Sequence, residues 1–327
     1  MPTAVRPGAT ALLAAALFCH PAAAQPSDLT IEAVEKAEFT GSPGDGRSPV
    51  VLKAQVLLDR AHFSPGVIDG RVGGNFSQAL AAFEKSRGLE ADGKLDETVW
   101  RKLTEGDRKP ALKRRAIEPS DVEGPFVDAI PDGFKAMSQL DRLAYTGPAE
   151  LLAERFHMDE DLLRDLNPGV DFGKAGTEIV VADPGDDRSG RVSAVEVDKA
   201  EKAVRAFDGE GKLLAFYPGT IGSEENPAPD GGFEVRAVAA DPTYTYNPDL
   251  GFKGVEAKEV LKIPPGPNNP VGTVWIDLTK EGYGIHGTPE PAAIGKSFSH
   301  GCIRLTNWDA TELGRMVEKG TAVKFLK

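Results

Sequence analysis

The chain has 327 residues, 40% of them hydrophobic and 27% charged, which predicts two or three globular domains rather than one. With 38 basic against 50 acidic residues the net charge is -12, which excludes a broad nucleic-acid or anionic-lipid surface. The short basic run Lys109 to Arg115 reads as a solvated stretch of linker.

Residues 1–24 carry Arg6, an apolar run from Ala11 to Phe18 and the small tract Ala22-Ala23-Ala24. A basic start, a short apolar core and an A-x-A site describe a secretory signal peptide cleaved after Ala24. Bulky Phe18 before Cys19 argues against a lipidated cysteine. No other stretch reaches the ~20 apolar residues of a membrane span. The mature protein is expected to be soluble and exported, in a periplasm or cell envelope. Its sole remaining cysteine is then Cys302, which excludes an internal disulfide and marks a thiol whose neighbours decide its role.

Residues 25–48 are polar, with Gly and Pro from Gly41 to Pro49, and read as a mobile lead-in. Over 49–105 the pattern turns helical. Val51, Leu52, Gln55, Val56 and Leu58 line a first helix, and Ala79, Leu80 and Phe83 a second that Gly88 stops. Thr98, Trp100 and Leu103 mark a third, and two Asp-Gly turns (Asp69-Gly70 and Asp92-Gly93) separate the three. This pattern resembles the three-helix peptidoglycan-binding domain, with Phe83-Glu84 where that family has phenylalanine and glutamine.

Residues 106–135 mix charge with Pro and Gly and read as linker. In 136–185 two helical stretches, Glu150 to Phe156 and Asp159 to Leu166, precede Asn167-Pro168-Gly169 and the strand-like Glu178 to Val181. The order strand, helix, helix, strand resembles a LysM module, a resemblance that implies binding to N-acetylglucosamine-containing glycans; a plain βααβ packing unit is the other reading. From 190 to 327 short strands and tight turns take over. Val192 to Val197 alternates, a hairpin turns at Asp208-Gly209 and returns over Lys212 to Tyr217, and Val271 to Leu278 and Ala322 to Phe325 are further strands.

The chemistry concentrates in Ile285-His286-Gly287-Thr288 and Ser299-His300-Gly301-Cys302-Ile303-Arg304. An imidazole activates a thiol, and Thr306 to Asp309 has the form of a capping box opening a helix just after Cys302, where a positive helix end favours thiolate. The amides of Gly301 and Cys302 suit an oxyanion hole, and Arg304 suits an anionic substrate group. Two histidines and a cysteine also invite a zinc reading, which needs a third ligand that His62 and His157, in the accessory modules, are poorly placed to supply.

The stretch HGTPEPAAIGKSFSHGCIRLTNWDATEL closely resembles the signature of the YkuD-type L,D-transpeptidases. Pro242 to Pro248 and Ile263 to Leu278 resemble that family's cleft segments. The resemblance implies a multidomain protein whose β-rich catalytic domain is a mixed β-sandwich with a short helix after the catalytic cysteine. It implies Cys302 as nucleophile, His286 as base, and Gly287, Ser299, His300 and Gly301 as supporting catalytic positions. Arg304, Tyr283, Asn268 and Asn269 are expected to bind substrate, with Trp275 near the cleft. No cofactor or metal is implied. The expected partners are peptidoglycan stem peptides and glycan strands, with an outer-membrane lipoprotein as a further acceptor.

Overall fold

The computed structural model describes residues 1, 29–44, 46–223, 226–248, 258–297, 299 and 301–327. The leader expected over 1–24, with Cys19, lies outside the described residues, and so does His300.

The lead-in contains a short helix, α1 (Ile31–Glu35), capped by Thr30. Leu29 and Val34 bury against later helices, so its apolar residues hold it to the body of the protein. Three helices follow, α2 (Pro49–Arg60), α3 (Gly74–Ser86) and α4 (Glu97–Thr104). The Gln55 amide shows why that residue type precedes the first Asp-Gly turn. Its oxygen accepts the N–H groups of Asp69 (3.1 Å) and Gly70 (2.7 Å), and its nitrogen donates to the Asp69 carboxylate (2.8 Å). Glu84 does the same for the second turn by accepting from Gly93 N–H at 2.9 Å.

The stretch read as linker is structured over 112–116. Strand β1 (Leu112–Ala116) is followed by the one-turn helices α5 (Pro119–Val122) and α6 (Phe134–Met137). Then come α7 (Pro148–Arg155), α8 (Glu160–Leu166) and β2 (Glu178–Ala182), which pairs antiparallel with β1. The two expected helices and the final strand are present as α7, α8 and β2, but the first strand comes earlier than expected and two one-turn helices, α5 and α6, intervene. The strand is hard to read because Leu112 is its one buried residue and charged side chains cover the other face.

The remaining strands are β3 (Ala194–Asp198), β4 (Ala203–Phe207), β5 (Leu213–Pro218), β6 (Thr220–Ile221), β7 (Gly231–Ala240), β8 (Tyr244–Tyr246), β9 (Leu261–Ile263), β10 (Val274–Leu278), β11 (Gly284–His286), β12 (Ile303–Arg304) and β13 (Ala322–Leu326). Helix α9 (Asn307–Met316) lies between the last two. Nine of these strands join in the order β5-β4-β3-β13-β7-β10-β11-β12-β6, and β8-β9 stands apart as a hairpin. Strand β7 links two half-sheets, its first residues pairing with β13 and its later ones with β10. Side chains from both halves, with Ala310, Leu313 and Met316 of α9, share one core.

Candidate active site

The site is assembled by strand register. β11 pairs parallel with β12, so Ile285 lies beside Ile303 and His286 beside Arg304. Both isoleucines are fully buried in the core. Since side chains alternate along a strand, Gly284, His286, Cys302 and Arg304 turn to the opposite face together. On the other side Trp275 pairs with His286 and Asp277 with Gly284, adding β10 to the same face.

The His286 ring is 4% exposed and stacks on the Trp275 indole, with centroids 5.3 Å apart and planes 21° apart. Its Nδ1 lies 2.7 Å from the Gly287 carbonyl oxygen, which only accepts, so Nδ1 carries the proton and Nε2 keeps its lone pair. Burial, aided by the Arg304 charge, lowers the imidazole to about 3 against the opposing hydrogen bond to Gly287. The ring is therefore neutral at ordinary pH. The Cys302 thiol points toward the Gly282 carbonyl at 3.7 Å. Burial raises the thiol above its usual value, opposed by the Gly284 N–H and Arg304. The resting pair is therefore a thiol and a neutral imidazole; α9 begins only at Asn307, too far along the chain for its N-terminus to act on the sulfur as the sequence suggested.

Three glycines allow this close packing. A Cβ on Gly284 would stand 2.6 Å from the Trp275 indole, and one on Gly287 would overlap the Asn307 side-chain oxygen. Gly301, at φ 105°, packs its α-carbon against Tyr283, whose ring would be 3.0 Å from an added Cβ. Ser299 is 3% exposed and braces the loop. Its hydroxyl donates to the Cys302 carbonyl (2.6 Å) and accepts the Gly222 N–H (2.7 Å).

The two asparagines expected at the substrate do other work. Asn268 donates to the Ala144 carbonyl (3.0 Å) and the Glu150 carboxylate (2.8 Å). Asn269 is fully buried and ties its own loop through the Pro264 carbonyl (2.7 Å) and Val271 N–H (2.9 Å). Both shape the 264–273 loop from inside. Sequence reasoning missed Tyr244, whose phenol rises to about 12 through burial and the neighbouring Cys302 charge. Its only signal was its place in the Pro242 to Pro248 segment. It also missed Asn307, 3% exposed, which holds the turn after His286 by accepting Thr288 N–H at 3.1 Å.

A neutral imidazole whose Nε2 keeps its lone pair, with a protonated thiol in the bend that leads into the neighbouring strand, is a pair of the kind that passes the thiol proton to the ring as sulfur attacks a carbonyl.

A family model described as the L,D-transpeptidase catalytic domain matches residues 193–325, and one described as a peptidoglycan binding domain matches residues 47–103. The chain is 29% identical over 177 residues to the L,D-transpeptidase YkuD of Bacillus licheniformis, covering 53% of this chain and 90% of that one. It is 30% identical over 190 residues to the L,D-transpeptidase YbiS of Escherichia coli, covering 55% of this chain and 60% of that one. A third relative, from Fuscovulum blasticum and also named as an L,D-transpeptidase, is 30% identical over 129 residues, 39% of this chain and 67% of its own length. The solved L,D-transpeptidase from Mycobacterium smegmatis overlaps with a TM-score of 0.35 at 20% identity, over 46% of this chain and 64% of that one.

Proposed function

The chain belongs to the L,D-transpeptidase family, and from that premise we propose that Cys302 is the nucleophile and His286 the base of a peptidoglycan cross-linking reaction. The observation that supports the assignment is the parallel pairing of β11 with β12, which brings the bend carrying Cys302 alongside the His286 strand, with Nε2 left as the basic nitrogen of the ring. Cys302 Sγ bonds to the carbonyl carbon of the meso-diaminopimelate residue in a tetrapeptide stem as its proton passes to His286. The amides of Gly301 and Cys302 face the oxyanion. Collapse breaks the peptide bond, and the departing D-Ala amine takes the proton from His286. A thioester remains. An amine of a second stem attacks it, gives its proton to His286, and releases the thiol with a 3→3 cross-link formed. Ser299 and Gly287 position these groups, and Arg304 and Tyr283 meet the substrate.

In this reading residues 1–24 direct export, 49–105 and the LysM-like unit of 136–185 engage glycan or stem peptide, and 190–327 carry the chemistry. Among the described residues no helix is long and apolar enough to cross a membrane. The test is mass spectrometry of the protein with a defined disaccharide-tetrapeptide, beside Cys302→Ala. A cross-linked dimer made by wild type alone supports the proposal. Tripeptide without dimer moves the acceptor to water, and transfer onto an added lipoprotein lysine moves it there. Folded protein with neither turnover nor a Cys302 adduct leaves a wall-binding role.

A further inference from the structure

The turn that orients His286 is held from outside the catalytic domain. Asn307, the first residue of α9, accepts the N–H groups of Thr273 (3.2 Å) and Thr288 (3.1 Å) through Oδ1. Its Nδ2 donates to the Pro267 carbonyl (3.1 Å) and to both carboxylate oxygens of Glu154 in α7 (3.1 and 3.0 Å). The amide lies against Gly287, so tightly that no Cβ fits there, and the Gly287 carbonyl is the group that fixes the imidazole proton on Nδ1. Glu154 is 8% exposed and also accepts from the Tyr145 hydroxyl at 3.2 Å. One turn earlier on the same helix, Glu150 accepts from Asn268, so α7 grips the 264–273 loop and Asn307 together.

An asparagine amide has a donor end and an acceptor end of nearly the same shape. The ionised carboxylate of Glu154, like the Pro267 carbonyl beside it, accepts only. Facing Glu154, Asn307 must turn its nitrogen to α7 and its oxygen to the two backbone donors. Flipped, its NH2 would meet the N–H groups of Thr273 and Thr288, and the turn would lose both bonds. An apolar residue at 154 would take away the two carboxylate acceptors and leave the Pro267 carbonyl to hold that nitrogen.

We propose that Glu154 is a positioning residue for catalysis, setting the orientation of Asn307 and thereby the Gly287-Thr288 turn that holds His286. The βααβ unit then completes the catalytic site as well as any role it has in binding the wall. This inference rests on the reading of His286 as the base.

The test uses the full chain with Glu154→Ala, Glu154→Gln and Glu154→Asp, each checked for folding by thermal melt, with disaccharide-tetrapeptide as substrate. For Ala, kcat is expected to fall about 30-fold with KM within about 2-fold, as for a displaced catalytic group. Gln, whose side-chain oxygen still accepts from Asn307, is expected to stay within about 3-fold of wild type, while Asp, one methylene short, is impaired like Ala. The His286 Nδ1–H resonance, read without substrate, shifts or broadens in Ala and is retained in Gln. A folded Ala variant with wild-type kcat and an unchanged resonance overturns the proposal. If Ala fails to fold, equal rates for Gln and Asp overturn it. Wild-type protein without turnover or a Cys302 adduct defeats the reading of the site instead, and the resonance still decides the positioning.

Discussion

Burial raises the Cys302 thiol and lowers the His286 imidazole to about 3, so both members of the pair rest uncharged. Proton transfer then has to accompany attack rather than precede it. That makes a prediction for a small probe that needs thiolate and ignores the substrate cleft. Alkylation of Cys302 by iodoacetamide should accelerate about tenfold per pH unit through neutrality, because the thiolate fraction rises with pH until the thiol's elevated pKa is passed. A rate that is flat from about pH 5 to 8 would instead reveal a preformed thiolate–imidazolium pair and would sink the neutral-pair description. Gly284 makes a second case at this scale. The backbone of β11 is held by strands on both sides, so a methyl group 2.6 Å from the Trp275 indole must displace the indole rather than the strand. Gly284→Ala should cost about 1–3 kcal/mol by overpacking and lower turnover about 10- to 100-fold as the stacked imidazole follows the indole. A melting curve and kcat, measured together, check both halves.

Helix α9 connects these residues to their support. Thr306 caps it by accepting the Asp309 N–H at 3.1 Å, as the capping pattern predicts. The reciprocal half of the expected box is spent elsewhere, because the Asp309 carboxylate accepts the Ser64 hydroxyl at 3.0 Å from the segment after α2. Thr306→Ala should therefore cost about 1 kcal/mol, the value of one cap, read as a shift of the urea midpoint at constant slope. The contrast shows what was legible in the sequence. Local signals were: helix periodicity over α2 and α3, the Asp208-Gly209 hairpin, and the spacing from His286 to Cys302 all depend on residues near one another in the chain. Long-range partners were not. Asp309 chooses a serine 245 positions away. β1 finds β2 across 62 residues (Ala116 to Glu178), and its Lys-Arg-Arg run disguised it as linker. Asn268 and Asn269 looked like substrate contacts because polar residues in a cleft loop usually face solvent, yet both are buried in bonds to backbone and to Glu150. Glu154 carried no signal, since its role exists only once α7 meets α9.

The three units share cores and are not beads on a string. Leu52 and Val56 of α2 pack with the βααβ unit, while Val51, Leu57 and Leu58 of the same helix pack with α3, α4 and, from the catalytic domain, Phe216. A helix apolar on all sides is one buried between layers. Where the units meet, polar groups replace apolar ones. His157 donates to Asp59 (2.7 Å) and stacks on Trp308 at 5.0 Å, and His62 and Tyr217 meet Glu312 at 3.1 and 2.7 Å. The accessory units are thus held in fixed contact with the catalytic unit through shared apolar cores and this polar seam. This polar seam also sets the protein's response to pH. Burial, with the Glu150 charge, raises Glu154 to about 7 against its hydrogen bonds to Asn307 and Tyr145, and burial with the Asp59 charge raises Asp309 well above the usual carboxylate range. Burial alone would lower His157, but Asp59 and Asp309 raise it above its ordinary 6.5. In all three the folded state holds its proton more tightly than the unfolded chain. Their stabilisation is complete below the unfolded values and is lost as pH climbs through the folded ones. Glu312, lowered because His62 and the Arg188 N–H outweigh its burial, works the other way where pH falls below about 4.5, and His286, lowered to about 3 by burial, works the other way over a wider range, its contribution complete above the unfolded 6.5 and lost as pH falls toward 3. Below about pH 6.5 the Glu154 and His286 contributions therefore oppose each other, and the Glu154 share is read as a difference: relative to Glu154→Gln, the wild-type protein should lose on the order of 3 kcal/mol from about pH 4.5 to pH 7, seen as a falling thermal midpoint. The Glu154→Gln variant keeps the Asp309, His157 and His286 shares, so these cancel in the difference. A difference that is flat or rises across the same interval would mean that the seam is hydrated and the units part before they unfold.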